Sequence, residues 1–249
     1  MTATYNIDDE TMICTISGDN GLGKTTMGCL FPDPVVISAE RGMKGVPVKH
    51  RPETLLRGFS YNELTDSLRY VLKEDHNFKT LVVDTVTALE TMFIEKVIAD
   101  DPKKPKGINQ AAGGYGNGPK VVASMHQSFS ATCLRIAEER KMNIVYIAHA
   151  DTETIDLPDR DPYMRYALRM NKLSIKPYVD DSDVVGFLRL EMFLRGDDQQ
   201  RIKKAVGGGD REFDCTANPW SIAKNRFGIT ESIPYILGEN PLAPYLKSE

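Results

Sequence analysis

The sequence predicts an α/β fold: a mainly parallel central sheet with helices on both faces and antiparallel strands added at one edge by the C-terminal part. Three observations predict it. The runs Met12–Ile16, Val35–Ala39, Leu81–Val83 and Ile144–Ile147 are short, apolar and continuous rather than alternating, as strands buried on both faces are. Segments with helical periodicity separate them, which is the order of βα units. After Val184–Leu188 the segments around 190–206 and 211–226 read as further short strands in hairpins. With 249 residues, 41% hydrophobic and 27% charged, the chain suits one domain with a large core, and no internal repeat or linker divides it.

The first strand runs directly into Gly18–Thr25, GDNGLGKT, a complete G-x-x-x-x-G-K-[ST] phosphate loop, and Thr25–Leu30 can open a helix. Gly18, Gly21 and Gly23 let the backbone turn tightly. Asp19, Asn20 and Leu22 complete the loop, whose N–H groups then face a polyphosphate at the positive end of a helix. Lys24 can reach the β- and γ-phosphates, and the Thr25 hydroxyl can ligate Mg²⁺. Thr26 supports the helix start. The implied cofactors are ATP and Mg²⁺.

The second strand ends at Glu40, and an irregular basic stretch follows, Arg41 to Arg57. Ser60-Tyr61-Asn62-Glu63 is a capping box, with Leu64, Leu68, Val71 and Leu72 as the apolar stripe of its helix. The third strand ends at Asp84, and a helix follows to about Ala99. Residues 100–120, rich in lysine and proline and containing GGYGNG, read as a mobile loop outside the core. A long helix carries Val122, Met125, Phe129, Cys133 and Ile136 on one face. After the fourth strand, Asp151 to Asp161 reads as a polar loop, with Asp161-Pro162 as cap and first residue of another helix. The tail from Ile229 to Glu249, with its prolines and tyrosines, either wraps the core or docks on a neighbouring subunit.

No apolar run is long enough to span a bilayer, and Met1–Tyr5 lacks the features of a signal peptide, so a cytoplasmic protein is expected. Cys14, Cys29, Cys133 and Cys215 form no C-x-x-C pair and read as reduced core thiols. The net charge of −4 excludes a uniformly basic nucleic-acid coat, so any DNA contact rests on local patches.

Asp84 ends a strand downstream of the phosphate loop, where a Walker-B acid holds Mg²⁺; capping the next helix is its other reading. The residue after it is Thr85, where an AAA+ enzyme usually has its catalytic Glu, and this counts against that class. Glu40 sits at the carboxyl end of the second strand, where ligands of open α/β sheets bind, and can polarise water; an ion pair with Arg41 or Lys44 is the alternative. His149 ends the fourth strand and can sense a γ-phosphate, or be a structural histidine satisfied by backbone. His50, His76 and His126 read as structural or solvated. Two stretches can meet nucleic acid: Lys103, Lys104, Lys106 and Lys120, and Arg160, Arg165, Arg169 and Lys172 with Tyr163 and Tyr166 between them. Acidic neighbours dilute both, so a solvated charged surface stays open for each.

The order GDNGLGKTT, VVISAERG, KTLVVDTVTAL, NIVYIAHAD and AKNRFG resembles the RecA/KaiC-like ATPase core. It is most similar to small phage nucleotide-binding proteins of that superfamily, which include RecA-like single-strand annealing proteins. The resemblance implies Glu40 as the catalytic carboxylate, Asp84 as the Walker-B acid and His149 as the γ-phosphate sensor. Lys224 and Arg226 match the family's K-x-[KR] pair, which enters a neighbouring subunit's site, and in Ser221–Phe227 read as a strand the two project together. The loops at about 100–120 and 151–165 would line a DNA path. Ten residues precede the first strand, so RecA's N-terminal polymerising segment is expected to be missing, as is its C-terminal domain. The implied function is ATP-dependent action on single-stranded DNA by a homo-oligomer in phage recombination or replication, most of all annealing, with a single-strand-binding protein as a further partner. The alternative is a nucleotide-dependent switch or assembly protein with little hydrolysis and no DNA role. A small-molecule kinase fits less well, since no acceptor pocket is marked.

Overall fold

The computed structural model describes residues 11–195 and 204–246. The N-terminal extension over residues 1–10, part of the expected 190–206 hairpin and the last three residues of the tail lie outside the described residues. In chain order the strands are β1 (Ile13–Gly18), β2 (Pro34–Ser38), β3 (Thr54–Arg57), β4 (Thr80–Asp84), β5 (Asn143–Leu157), β6 (Arg160–Leu168), β7 (Val184–Leu190), β8 (Phe193–Arg195), β9 (Lys204–Val206), β10 (Arg211–Asp214), β11 (Lys224–Asn225) and β12 (Ile233–Tyr235). The helices are α1 (Lys24–Cys29), α2 (Tyr61–Lys73), α3 (Val86–Asp100), α4 (Asn117–Arg140) and α5 (Lys176–Asp180).

The sheet runs β12-β10-β7-β1-β5-β4-β2-β3. Its ladders are parallel from β7 through β3, and β10, β11 and β12 add antiparallel at the other edge. The continuous apolar runs have a direct cause. Val35 and Ile37, Leu81 and Val83, Ile144 and Tyr146 point to the face covered by α2, α3 and α4. Val36, Val82, Val145 and Ile147 point to the opposite face, where Met27 and Cys29 of α1 pack and which Val184, Leu188 and Phe213 extend across β7 and β10. Each fully buried aliphatic side chain contributes roughly 1.5–3 kcal/mol on transfer from water. All four cysteines are buried and free.

Three sequence expectations are corrected. Within the irregular stretch Arg41–Arg57, β3 forms a parallel edge strand beside β2. Its residues alternate between half-buried and exposed, so it lacks the apolar run that marks a central strand. Residues 100–120 are not simply an external loop. Ala111 is fully buried, α4 already begins at Asn117, and a Cβ on Gly118 would stand 2.0 Å from the Ile108 carbonyl oxygen, so the Ile108–Gln110 turn packs directly on the helix start. Asp151–Asp161 is neither loop nor helix cap. β5 continues past the sheet and folds back through β6 as a long antiparallel hairpin. Thr152, Thr154 and Ile155, facing Tyr166, Met164 and Tyr163, supply β-formers on both legs. Pro162 lies across from the irregularity between Ile155 and Leu157, on an edge strand that has no need of its missing N–H.

The register brings the ends of four strands level. Gly18 is opposite His149, Asp84 is opposite both Ser38 and Ile147, and Glu40 is two residues beyond Ser38.

Candidate functional site

Two glycines explain the loop's shape. Gly18 has φ +151°, and a Cβ there would lie 2.4 Å from the Leu188 carbonyl oxygen on the adjacent β7. Gly23 begins α1 with φ +99°, and a Cβ would lie 2.8 Å from Leu237. Asp19, Asn20 and Gly21 form the exposed crown, while Leu22 and Thr26 are buried beneath it. Lys24 is 6% exposed, and its Nζ donates to the carbonyls of Gly18 (2.8 Å) and Asp19 (2.7 Å). Burial pulls the pKa of its ammonium below the usual lysine value.

The Thr25 hydroxyl donates to Asp84, 3.2 Å from each carboxylate oxygen. Asp84 is 0% exposed, and burial, reinforced by the nearby negative charge of Glu40, pushes its pKa up to about 6. The helix-cap alternative falls to its neighbour: the Thr85 hydroxyl accepts from the Ala88 N–H at 3.1 Å and starts α3. The Asp84–Thr85 peptide is cis. Thr85 also donates to Glu40 Oε2 at 3.3 Å.

Glu40 turns away from the ion pair with Arg41 or Lys44. Its carboxylate meets His149 Nε2 at 3.2 and 3.3 Å. That hydrogen bond, more than any other influence, holds its pKa below the usual carboxylate range, against the opposing effect of burial. The ring of His149 therefore faces a carboxylate rather than backbone, and its main-chain N–H donates to the Thr87 hydroxyl at 3.0 Å. A cavity of about 340 Å³ opens beside the pair, lined by Glu40, Thr87, Glu95, His149 and Arg169 among others.

The sequence did not single out Thr85, Thr87, Gly42 or a site position for Arg169. The two threonines stand one and three residues after the Walker-B position, which is a usable signal. Gly42 is needed because a Cβ would sit 2.9 Å from Asp84 Oδ2. Arg169 reaches the site only because the hairpin closes there, with its N–H donating to the His149 carbonyl at 2.9 Å. At the loop's other side the tail wraps the core: the Tyr235 hydroxyl donates to the Gly23 carbonyl at 3.2 Å, and Leu242 is fully buried.

Lys224 and Arg226 lie elsewhere. Lys224 pairs with Val185 near the start of β7, whereas Gly18 pairs with Leu188, about 10 Å along the same strand. The cations do not flank a shared anion. Lys224 Nζ donates to the carbonyls of Val179 (3.1 Å) and Asp180 (2.7 Å), and Arg226 forms an ion pair with Asp183 at 2.8 Å.

The two basic stretches fare differently. Lys103, Lys104, Lys106 and Lys120 are all exposed, and Tyr115 between them is 100% exposed. The second stretch is dispersed. Glu153 pairs with both Arg165 and Lys172, Asp159 pairs with Arg160, and the Tyr166 ring stacks on Phe187 at 4.5 Å. His126 is structural, buried 2.8 Å from Glu90. Among the described residues no helix is long and apolar enough to cross a membrane.

A family model described as an AAA domain, AAA_24, matches residues 10–227. Comparison with curated proteins found no match. Among solved structures 195 chains match. One of them, the crystal structure of the RadB recombinase, is 13% identical with a TM-score of 0.51, over 92% of this chain and 89% of that one. At that identity the likeness shows the fold alone, which is RecA-like. The position after Asp84 carries no carboxylate, and the carboxylate beside His149 comes from beyond β2.

Proposed function

The chain belongs to the AAA_24 family of AAA domains, and from that premise we propose that it binds ATP with Mg²⁺ and acts on single-stranded DNA, promoting annealing in phage recombination or replication. The observation that carries the reading is the convergence of Lys24, Thr25 and Asp84 with the Glu40–His149 pair at the level ends of four strands. The residues fit the absent groups. The Lys24 ammonium, held here by two backbone carbonyls, would exchange them for phosphate oxygens when a nucleotide binds. A hydroxyl on Thr25 and a carboxylate on Asp84 are the hard oxygen donors that Mg²⁺ takes. Bound there, the ion supplies charge neutralisation to the β- and γ-phosphates.

Glu40 orients the attacking water and accepts its proton. Its depressed pKa keeps it ionised at neutral pH. His149 ties Glu40 to the first residue of the hairpin, so the γ-phosphate end of the site and the hairpin move together. The exposed lysines around Tyr115 bind the phosphodiester backbone while the ring stacks on a base. A homo-oligomer completes the site. Since Lys224 and Arg226 lie at the other end of β7 from their own phosphate loop, they act on a neighbouring subunit, exchanging their present partners for its γ-phosphate.

Gel shift and ATPase assays with and without single-stranded DNA test this. Binding that weakens with salt, and turnover that rises with DNA, are expected. No detectable single-strand binding at low salt with ATP present overturns the DNA role. The ion pairs that occupy Arg160, Arg165 and Lys172 favour a second reading, a nucleotide-dependent switch that binds ATP and leaves DNA alone.

A further inference from the structure

We propose that Arg169 is a γ-phosphate contact supplied in cis by the foot of the β5–β6 hairpin, so that the hairpin itself distinguishes ATP from ADP. The proposal rests on the ATP-binding reading and adds a residue to that site.

The hairpin has two feet, and both stand in the site. One is His149, the last residue of β5 level with Gly18. The other is Arg169, one residue past β6, whose N–H donates to the His149 carbonyl at 2.9 Å beside the Ala150–Leu168 pair. This bond fixes the arginine backbone next to the residue that holds Glu40. The side chain lines the same 340 Å³ cavity as Glu40 and His149.

Its charge is available. Arg160, Arg165 and Lys172, the nearby cations of this segment, all have carboxylate partners within 4 Å. Arg169 has none among the described residues, although Glu40 and Glu95 line its cavity. Glu40 is already engaged by His149 and Thr85. Arg169 is also near enough to Lys24 for its charge to disfavour the lysine's protonation. An anion bound between two such cations relieves their repulsion, and a planar guanidinium grips two phosphate oxygens at once. Lys24 serves the β- and γ-phosphates from the loop side. Arg169, on the Glu40 side, would touch only the terminal phosphate.

The hairpin is stiff enough to make this contact count. Tyr166, three residues before Arg169, receives a hydrogen bond from the Ile222 N–H (3.0 Å) and donates one to the Trp220 carbonyl (2.7 Å). An Arg169–phosphate contact therefore holds the hairpin, and losing the phosphate releases one of its two feet.

The test is equilibrium binding of ATPγS and ADP, each with Mg²⁺, to the wild-type protein, Arg169→Ala and Arg169→Lys, with thermal melts as a fold control. Arg169 is exposed, so the melts should coincide. Arg169→Ala should lose about tenfold or more of ATPγS affinity, the size of one charge-assisted hydrogen bond, while ADP affinity changes less than about twofold. Arg169→Lys should recover part of the loss. An unchanged ATPγS-to-ADP ratio in Arg169→Ala, with wild type binding both, overturns this proposal and leaves the nucleotide site standing. Wild-type protein that binds neither nucleotide overturns the site and this contact together.

Discussion

Replacing Asp84 with Asn should stabilise the nucleotide-free protein at neutral pH while abolishing its stabilisation by Mg²⁺-ATP. Asp84 is fully buried, and its pKa moves from the ordinary 3.8 to about 6 on folding. Between those values the unfolded chain has released a proton that the folded chain still holds. Stability therefore falls as pH rises from about 4 to about 6, and the full cost is present above that window. The gap corresponds to about 3 kcal/mol. An asparagine stays neutral throughout, and its amide oxygen still accepts from the Thr25 hydroxyl, so it escapes the cost. In EDTA without nucleotide at pH 7.5, Asp84→Asn should melt about 6–12 °C above wild type for a chain of this size. The difference should close near pH 4. Mg²⁺-ATP should then raise the wild-type melting temperature and leave that of the variant almost unmoved. A variant that melts at or below wild type at pH 7.5, or a difference that persists unchanged at pH 4, would refute the assignment of Asp84 as a carboxylate held at a cost for a cation.

Four further outcomes are expected. Lys24→Ala should lose about a hundredfold or more of ATP affinity by calorimetry and keep its fold, because the lost group is a charge on phosphate. Glu40→Gln, by contrast, should bind ATP nearly normally and hydrolyse it about 10²–10⁴ times more slowly; wild-type turnover would place water activation elsewhere. Replacing Lys103, Lys104 and Lys106 together should reduce the slope of log affinity against log salt for single-stranded DNA by up to about 2, and an unchanged slope would move the contact to other residues. Arg226→Ala, which removes a side chain more than half exposed, should change stability by about 1 kcal/mol or less yet impair hydrolysis, and mixing it with Lys24→Ala should restore some activity. Concentration-independent turnover unaffected by Arg226→Ala would exclude a shared site.

The sequence by itself determined the parts whose physics is local. The phosphate loop is contiguous, so GDNGLGKT next to an apolar strand specified its own turn and the place of Lys24 and Thr25. The continuous runs around Val36, Val82 and Val145 declared strands covered on both faces, since each successive residue enters a different core. The Ser60 cap was legible for the same reason: its hydroxyl accepts from the Glu63 N–H, only three residues away. Tertiary structure alone decided the rest, because it depends on register and on pairing across distance. Glu40 and His149 are 109 residues apart, and only the order β1-β5-β4-β2 brings them within 3.2 Å. The β5–β6 hairpin read as loop and helix because Pro162 is a helix-start signal, and only pairing shows that its missing N–H lies where no partner asks for it. Arg169 read as one more basic residue on a surface, and the closure of that hairpin placed it beside His149. Lys224 and Arg226 read as a free pair because a strand's alternation says where side chains point; Asp183 and the carbonyls ending α5, which occupy them, come from residues some forty positions away.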